Sequence, residues 1–287
     1  MAKLVNGREI AQHINNSVKE KIEALRSSVG KAPRLVSLTV GHNEEAEIYV
    51  KMQEKAAGKV GIEFESRELG VGVGEEEVLA EIKKLNQDKT VTAIIVQKPL
   101  PFGIDHDRVA ETIAHEKDAE GIHPYNLGKI FRRDADIVPC TPGAVMKVLD
   151  EHHVELYGKE VVIIGHSAIV GKPLSLMMLN ESATTTVCHI GTAEKGDVGA
   201  HAKKADILIV AVGKAEMVKA DWIKSGAIVI DVGINKKDGS IVGDVAFKEA
   251  EKKASIITPV PGGVGPITVS ILMRNVLRAY RSQHVTV

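Results

Sequence analysis

The sequence predicts an α/β fold with two domains. Runs of β-branched residues alternate with stretches whose apolar residues recur at helical spacing, which is typical of parallel sheets with crossover helices. The 287 residues suffice for two domains of ordinary size, and 44% hydrophobic residues support a full core. A strand, turn and helix unit from Glu160 to Pro173 indicates where the second domain begins.

The N-terminal half contains a predicted sheet with helices between its strands. A long amphipathic helix is predicted from Gly7 to about Ser28, with an apolar face made of Ile10, Ile14, Val18, Ile22 and Leu25. Strands are predicted at Arg34–Val40, Ile62–Glu65 and Val91–Val96, and helices at about Ala46–Val60 and Gly74–Asn86. Ligands of parallel sheets lie beyond the carboxyl ends of the strands. Gln97, Lys98 and Pro99 occupy such an end.

The segment between the two halves, from Pro99 to Ile130, is predicted to be rich in loops. Its polar residues are Asp118, Glu120, His123 and Asn126. Such a cluster is often only a solvated loop, and a lone loop histidine such as His123 is expected to be non-catalytic. A helix from Pro142 to His152 is predicted to bridge into the second domain.

Strands of the second half recur at nucleotide-binding spacing. After Val161–Ile164, strands are predicted at Thr184–His189, Ile207–Val212 and Ile228–Val232, about 20 residues apart. The loop Pro259–Pro266 precedes an apolar helix from about Ile267 to Tyr280, which is expected to return to the first domain. The predicted domains are therefore residues 1–141, completed by about 267–287, and residues 142–266.

The turn after Val161–Ile164 carries Gly165 and Gly171 and then opens a helix through Leu179. Free backbone N–H groups and the dipole at a helix N-terminus suit a phosphate, and glycines allow its close approach. The spacing is not GxGxxG, however, and many such turns carry glycines for steric reasons. A bound dinucleotide and a bare tight turn both stay open on this stretch alone.

Composition excludes several classes of partner. A formal net charge of −1 and 3% aromatic residues give no reason to expect nucleic acid or an anionic membrane. No apolar run approaches the length of a membrane span, and the N-terminus lacks a signal-peptide core. Cys140 and Cys188 make neither a disulfide framework nor a zinc motif, so we expect no metal site and a cytoplasmic location.

Four sequence blocks, in order along nearly the whole chain, resemble the methylenetetrahydrofolate dehydrogenase/cyclohydrolase family. They are YVKMQEKAAGKVGI from Tyr49, VQKPLP from Val96 with KDAEGIHPYNLGK from Lys117, PCTP from Pro139 with GHSAIVGKP, and DVGIN from Asp231 with TPVPGGVGPIT from Thr258. The resemblance implies an N-terminal three-layer α/β folate domain, a C-terminal Rossmann-like dinucleotide domain, a cleft between them and usually a homodimer.

The family couples two reactions on one-carbon units carried by tetrahydrofolate. Hydride transfer from the methylene carbon to a nicotinamide needs chiefly positioning, whereas hydrolysis of the methenyl product also needs an acid/base group. The resemblance implies catalytic roles for Tyr49, Gln53 and Gln97. Further substrate-binding residues are implied to be Val96, Lys98, Glu120, Pro261, Gly262 and Gly263. The implied cofactor-binding residues are Gly165, His166, Ser167, Ile169, His189, Ile190, Gly213, Ile234 and Thr268.

Position 53 departs from the family. The family places its acid/base Lys four residues after the Tyr, but here Gln53 follows Tyr49. Both residues share a helix face, while Lys51 and Lys55 point away and are poor substitutes. An amide does not shuttle protons. We therefore expect weak or absent cyclohydrolase activity, unless another residue such as Lys98 has taken over.

The folate loop departs at two positions. The family's second Asp in KDVDG, which grips the pterin ring, is Glu120 here, a carboxylate that still accepts two hydrogen bonds. We expect Glu120 to bind pterin, with an ordinary surface acid as the alternative. Lys98 stands where the family commonly has Leu and is expected to be solvated or near the glutamate tail of the folate.

The residues implied to bind the dinucleotide also depart from the family pattern. The family's GRS becomes Gly165, His166 and Ser167, and its later His-Ser becomes His189 and Ile190. A guanidinium suits the 2′-phosphate of NADP far better than a mostly neutral imidazole, and Ile190 offers no side-chain hydrogen bond. Two features complicate the choice between NAD and NADP: the usual acidic partner of the NAD ribose is missing, and the cation Lys195 lies nearby. We expect NAD over NADP.

The leading hypothesis is an NAD-dependent methylenetetrahydrofolate dehydrogenase with impaired cyclohydrolase activity. A bifunctional NADP-dependent enzyme is the alternative within the family. A non-catalytic folate-binding protein is the alternative from another class. The intact Tyr49, Gln97 and PVPGGVGP favour an enzyme.

Overall fold

A computed structural model describes residues 1–42 and 44–284, apart from the side chains of residues 44 and 45. The chain divides into two compact units. The three-stranded unit comprises residues 12–129, 134–138 and 269–287, and the six-stranded unit comprises residues 1–11, 130–133 and 139–268. Among the described residues, no helix combines the length and apolarity that crossing a bilayer requires.

The first half of the chain alternates strands and helices. In order they are β1 Lys3–Leu4, α1 Gly7–Val29, β2 Arg34–Val40, α2 Glu44–Val60, β3 Glu63–Leu69, α3 Glu75–Gln87, β4 Ala93–Val96, α4 His106–Thr112 and α5 Pro124–Phe131. The predicted apolar face of α1 buries Ile10, Ile14, Val18 and Ile22. Its 3.6-residue periodicity thus matches its burial.

The second half continues the alternation. Its elements are α6 Cys140–Glu151, β5 Glu160–Ile164, α7 Gly171–Asn180, β6 Thr184–Cys188, α8 Ile190–Glu194, α9 Val198–Ala202, β7 Ile207–Val210, β8 Ile228–Asp231, β9 Asn235–Lys237, β10 Ser240–Val242, α10 Phe247–Ala250, β11 Ile256–Ile257 and α11 Val264–His284. A 3₁₀ turn covers Ala220–Trp222.

The sheet of the three-stranded unit is parallel, in the order β3-β2-β4. Leu38 of β2 pairs with Val96 of β4, so the carboxyl ends of these central strands meet. Leu79 and Ile82 of α3 pack with Val36, Leu38 and other sheet residues into one core. Gln97 therefore leaves the sheet at its carboxyl edge, where α/β folds hold their ligands.

The sheet of the six-stranded unit is parallel, in the order β1-β11-β8-β7-β5-β6. The chain passes from β5 to β6 on one side and then crosses to β7 on the other side of β5. This reversal creates a switch point beyond the carboxyl ends of β5 and β7. All four residues of Ile207–Val210 are buried, so both faces of this central strand are covered.

The predicted two-domain α/β fold with parallel sheets is confirmed, but several elements differ from the prediction. Pro99–Ile130 was expected to be loop, and it contains α4 and most of α5. The short strand Ile256–Ile257 and the β9–β10 hairpin were not predicted, although Asp238 and Gly239 at the hairpin turn are a sequence signal for it. The contact division also assigns Met1–Ala11 to the six-stranded unit, unlike the predicted 1–141 domain, because Lys3–Leu4 pairs with β11.

Candidate active site

The end of β4 and the buried face of α2 bring two glutamines together. Gln53 and Gln97 are buried, with exposed fractions of only 5% and 7%. The Nε2 of Gln97 donates to the Oε1 of Gln53 at 2.9 Å and to the Oγ of Ser37 at 2.9 Å. Tyr49, one turn before Gln53, is 44% exposed. The predicted catalytic residues Tyr49, Gln53 and Gln97 thus belong to one local cluster.

This cluster is neutral. With both hydrogens of its Nε2 donated to Ser37 and Gln53, Gln97 presents its carbonyl oxygen as the remaining polar atom, and Gln53 presents its amide N–H groups. These atoms can hold a carbonyl or a water molecule, but neither group exchanges protons near neutral pH. Sequence reasoning missed Ser37, although a polar residue at the centre of the strand RLVSLTV was a signal.

Lys98, the residue after Gln97, pairs with Glu120. The Nζ of Lys98 lies 3.3 Å from the Oε1 of Glu120, and the two side chains are 26% and 23% exposed. Burial raises the pKa of the Glu120 carboxyl and the nearby Asp118 raises it too, whereas Lys98 lowers it. Lys98 is thus partly buried and paired with the folate-loop carboxylate, and its place near the glutamate tail of the folate stays a prediction.

Other polar residues of the KDAEGIHPYN block maintain its shape. The carboxylate of Asp118 accepts hydrogen bonds from the backbone N–H groups of Gly121 and His123 and from the side chain of Asn126. The Nδ1 of His123 accepts from the backbone N–H of Tyr125 in the first turn of α5. These contacts fit the structural role expected for His123.

Lys117 closes the C-terminal end of α3. Its ammonium donates to the carbonyl oxygens of Leu85, Asn86 and Asp88 at 3.0, 2.8 and 2.7 Å. These oxygens include acceptors that the helix itself leaves unpaired. Burial lowers the pKa of Lys117 despite the opposing effect of Asp88. Lys117 and Asp118 thus hold the segment from which Glu120 projects.

The turn at Gly165 packs tightly against its surroundings. A Cβ at Gly165, whose φ is +124°, would lie 2.3 Å from the carbonyl oxygen of Ala211, and one at Gly171 would lie 2.0 Å from the carbonyl oxygen of Gly165. Both glycines are therefore needed for close approach between β5, β7 and α7. This steric role and a phosphate-binding role are compatible, because the turn opens at the switch point of the sheet.

The predicted cofactor residues lie at the carboxyl edge of the six-stranded sheet or beside it. His166, Ser167 and Ile169 follow β5, His189 and Ile190 follow β6, Gly213 follows β7, and Ile234 follows β8. The isoleucines at 169, 190 and 234 are 37%, 62% and 54% exposed. Exposed apolar side chains and positive-φ glycines at a switch point fit a dinucleotide, whose rings need flat apolar contacts.

Two imidazoles meet at the ends of β5 and β6. The ring centroids of His166 and His189 lie 5.3 Å apart. The Nδ1 of His189 accepts a hydrogen bond from the backbone N–H of Gly191 at 3.2 Å. This contact joins the His189 ring to the first turn of α8.

Asp244 organises the loop after β7, and the sequence analysis missed it. Its carboxylate accepts from the backbone N–H groups of Val212, Gly213 and Lys214 at 2.7, 3.0 and 2.7 Å, and from the Nδ2 of Asn235 at 2.9 Å. In the sequence, Asp244 is only a polar residue between apolar stretches, and nothing there indicates that its carboxylate accepts four hydrogen bonds.

Asp231, at the end of β8, organises the next loop. It accepts from the backbone N–H groups of Gly233, Asp244 and Val245. Burial, together with the charge of Asp244, raises its pKa to about 6 against the opposing hydrogen bonds. A Cβ at Gly243 would lie 1.9 Å from the Oδ2 of Asp231. The glycine is therefore required by the carboxylate.

The PVPGGVGP loop is held against the start of α1. The backbone N–H of Gly7 donates to the carbonyl oxygen of Gly262 at 3.1 Å, and a Cβ at Gly7 would lie 1.8 Å from the carbonyl oxygen of Gly263. The loop contains a cis peptide bond before Pro261. The hydroxyl of Thr268 donates to the carbonyl oxygen of Val264 within α11.

The predicted site residues divide between the two units. Tyr49, Gln53, Val96, Gln97, Lys98 and Glu120 belong to the three-stranded unit. Pro261, Gly262, Gly263 and the predicted cofactor residues belong to the six-stranded unit. Their individual binding roles stay predictions.

A separate cavity of about 550 Å³ lies between α2 and the edge strand β3. Its lining includes Thr39, Lys51, Glu54, Ser66 and Glu68, and none of the predicted site residues.

Comparison with known proteins identifies both parts of the chain. The sequence model of the tetrahydrofolate dehydrogenase/cyclohydrolase catalytic domain matches residues 5–120. That of the tetrahydrofolate dehydrogenase/cyclohydrolase NAD(P)-binding domain matches residues 139–284.

Individual relatives match along almost their full length. The bifunctional protein FolD of Methanosarcina barkeri is 44% identical, covering 96% of this chain and 95% of the relative. The crystal structure of the bifunctional FolD of Campylobacter jejuni has a TM-score of 0.94 at 41% identity, covering 98% of this chain and 99% of the other. The FolD of Trypanosoma brucei, solved with NADP and an inhibitor, has a TM-score of 0.94 at 38% identity, covering 99% of both chains.

The resemblance stated from the four blocks is confirmed, and so is the assignment of a folate catalytic part and a Rossmann-like NAD(P)-binding part. Since the two family matches span most of the sequence and the relatives cover nearly all of it, this chain belongs to the tetrahydrofolate dehydrogenase/cyclohydrolase family.

Proposed function

We propose that this protein oxidises 5,10-methylene-tetrahydrofolate to the 5,10-methenyl compound with NAD as hydride acceptor, and that its cyclohydrolase activity is weak or absent. The family and its folate and NAD(P) chemistry are established by the sequence matches. The observation that carries the hydrolysis part of the proposal is the hydrogen bond between Gln53 and Gln97, because it joins two neutral amides at the position where the resemblance implies an acid/base lysine.

Dehydrogenation requires little acid/base chemistry from these residues. A bound nicotinamide supplies the electrophilic ring that accepts the hydride. The chain has to hold the pterin in one orientation, which is chiefly a matter of positioning. The exposed ring of Tyr49 is suited to stacking, while the carbonyl of Gln97 and the carboxylate of Glu120 are suited to accepting N–H groups of the pterin.

Hydrolysis requires acid/base chemistry in addition to positioning. Water attack on the methenyl carbon and opening of the ring both move protons, and a positioned acid/base group typically contributes about 10²–10⁴-fold to such steps. The pair of Gln53 and Gln97 can hold the water but cannot take its proton. We therefore infer that the methenyl product leaves largely unhydrolysed.

The preference for NAD follows from the ends of β5 and β6. His166 and His189 present adjacent imidazoles, and His189 uses its Nδ1 as an acceptor. Ile190 is exposed and has no side-chain donor. A 2′-phosphate would meet weaker donors here than an arginine provides, whereas a ribose hydroxyl needs no cation.

A bifunctional NADP-dependent enzyme is the second candidate, and the relatives favour it. The Methanosarcina barkeri and Campylobacter jejuni proteins are bifunctional, and the Trypanosoma brucei structure contains NADP. The candidate requires another group, such as Lys98, to replace the family lysine. A folate-binding protein without catalysis is the candidate from another class. A homodimer and a cytoplasmic location also stay predictions.

One assay separates the three candidates. The purified protein is given methylene-tetrahydrofolate with NAD or NADP, and the methenyl compound is followed as it forms and then disappears. We expect formation with NAD, slower formation with NADP, and disappearance at the spontaneous rate. Disappearance that scales with enzyme concentration would contradict impaired hydrolysis, and equal or faster use of NADP would contradict the cofactor preference. Reduction of neither nucleotide would favour the binding protein.

A further inference from the structure

The pair formed by Lys98 and Glu120 joins two positions at which this chain departs from its family. Lys98 follows Gln97 at the carboxyl end of β4, and Glu120 lies in the loop before α5. Their charged atoms approach to 3.3 Å although the residues are separated by 22 positions in the sequence. The extra methylene of Glu120, compared with an aspartate, extends the reach of its carboxylate.

The surroundings of Glu120 oppose its ionisation. Burial raises the pKa of its carboxyl, and Asp118, whose own carboxylate is engaged by the loop backbone, raises it further. Lys98 is the cation that lowers this pKa, through both its charge and its hydrogen bond. Without that cation, a proton on Glu120 would remove an acceptor and add a donor.

The ammonium of Lys98 also acts on α4. Burial lowers the pKa of His106, and the charge of Lys98 lowers it further, while Asp107 and Asp105 raise it. Burial and the charge of Lys98 therefore both favour the neutral form of His106. The charge of Lys98 thus acts on both Glu120 and His106.

We propose that Lys98 is a positioning residue for the folate: its ammonium, 3.3 Å from the Oε1 of Glu120, holds the carboxylate in the orientation that accepts hydrogen bonds from the pterin ring. The inference rests on the proposed function and deepens it. Lys98, two residues beyond the end of β4, thus supports substrate binding and not hydrolysis. Lys98 and Glu120 act as a unit, in which each residue compensates for the change at the other.

The test is a double-mutant cycle of Lys98→Met and Glu120→Asp, with Lys98→Arg as the conservative variant. Methionine keeps the apolar stem and removes the charge. We expect Lys98→Met to raise the KM for methylene-tetrahydrofolate about tenfold, with kcat and the KM for NAD within about twofold, since a lost charged hydrogen bond has this size. Lys98→Arg should recover most of the loss.

Two further readouts distinguish positioning from a general structural role. The acid limb of kcat/KM for the folate should move to higher pH in Lys98→Met, because Glu120 binds its proton more tightly when the charge of Lys98 is removed. The dissociation constant of tetrahydrofolate, measured by titration without nucleotide, should rise by the same factor as the KM. This binding arm also tests the inference if the protein reduces neither nucleotide, in which case only the proposed function fails.

The double-mutant cycle shows whether Lys98 and Glu120 are energetically coupled or act independently. Coupled residues give a double variant no weaker than the worse single variant, whereas independent residues give the product of the two effects. Lys55→Met, at an exposed position of α2, is the matched control and should leave all parameters unchanged. Additive effects, an unmoved acid limb or an unchanged dissociation constant would overturn the proposal. Circular dichroism excludes misfolding as the source of any loss.

Discussion

The Nε2 of Gln97 lies 2.9 Å from the Oε1 of Gln53 and donates a hydrogen bond to it. The second hydrogen of the same nitrogen is donated to Ser37, which is fully buried in β2. A strand, a strand end and a helix are thereby joined through uncharged side chains. The arrangement satisfies buried polar atoms and leaves the cluster without a group that titrates near neutral pH.

Replacing Gln53 with lysine should create cyclohydrolase activity. The substitution introduces an amine beside Gln97, at the position from which the family performs its proton transfers. We expect enzyme-driven disappearance of methenyl-tetrahydrofolate at least about tenfold above the wild-type rate, at the lower end of what acid/base catalysis contributes. Gln53→Met, which removes the amide without adding a base, is the control. Equal rates for both variants would show that position 53 is not the missing group.

Arginine at position 166 should shift the nucleotide preference towards NADP. The double variant His166→Arg, Ile190→Ser supplies a guanidinium and a hydroxyl at adjacent strand ends, where the wild type has an imidazole and an exposed isoleucine. Charge-assisted hydrogen bonds to a phosphate should raise the ratio of kcat/KM for NADP over NAD about tenfold or more. His201→Arg on α9 adds the same charge elsewhere. A ratio that changes equally in both proteins would contradict a local effect.

Asp244→Asn should destabilise the six-stranded unit. An amide nitrogen would face the part-buried backbone N–H groups of Val212–Lys214, which now donate to the carboxylate, and would leave some of these donors without an acceptor. We expect the free energy of unfolding to fall by about 2–4 kcal/mol in urea titrations. Asp238→Asn, in the exposed β9–β10 turn, is the matched control. A loss below about 0.5 kcal/mol would mean that this loop does not depend on the carboxylate.

The stability contributed by Asp231 should depend on pH. Its pKa is about 6 in the folded protein and 3.8 as an ordinary side chain, so the folded state binds its proton more tightly. The resulting stabilisation is fully present below about pH 4 and is lost as the pH rises through 6. Between pH 4.5 and 7.5 the wild type should lose about 2 kcal/mol of unfolding free energy relative to Asp231→Asn, measured in urea. A difference between the two proteins that stays constant with pH would refute this titration.

Local patterns predicted most of the regular structure. The strand Arg34–Val40 was predicted at its observed bounds, and α1 and α3 were predicted within one residue at each end. These elements have strong periodicity, which follows from burial of one helix face or of a central strand. By contrast, α4 follows Pro101 and Gly103, and α5 begins at Pro124 shortly after Gly121, so turn residues obscured these short helices.

The residue types of the candidate site could be predicted from sequence motifs, but their contacts could not. The motifs identified Tyr49, Gln53, Gln97 and Glu120 as site candidates, and the structure joins Gln53 and Gln97 directly. Ser37, Asp244 and the partner of Lys98 required coordinates. Each of these contacts joins residues more than 20 positions apart, and the register of parallel strands sets them.

By itself, the sequence determined the alternation of strands and helices, the family and the loss of a lysine at position 53. These features reside in residue types and in short-range periodicity. Only the tertiary structure decided that Lys98 pairs with Glu120 and that Asp231 and Asp244 hold the loops at the carboxyl edge of the six-stranded sheet. The reason is physical: a charge or a buried carboxylate acquires its role from partners that folding brings within about 3 Å, and sequence spacing does not encode that approach.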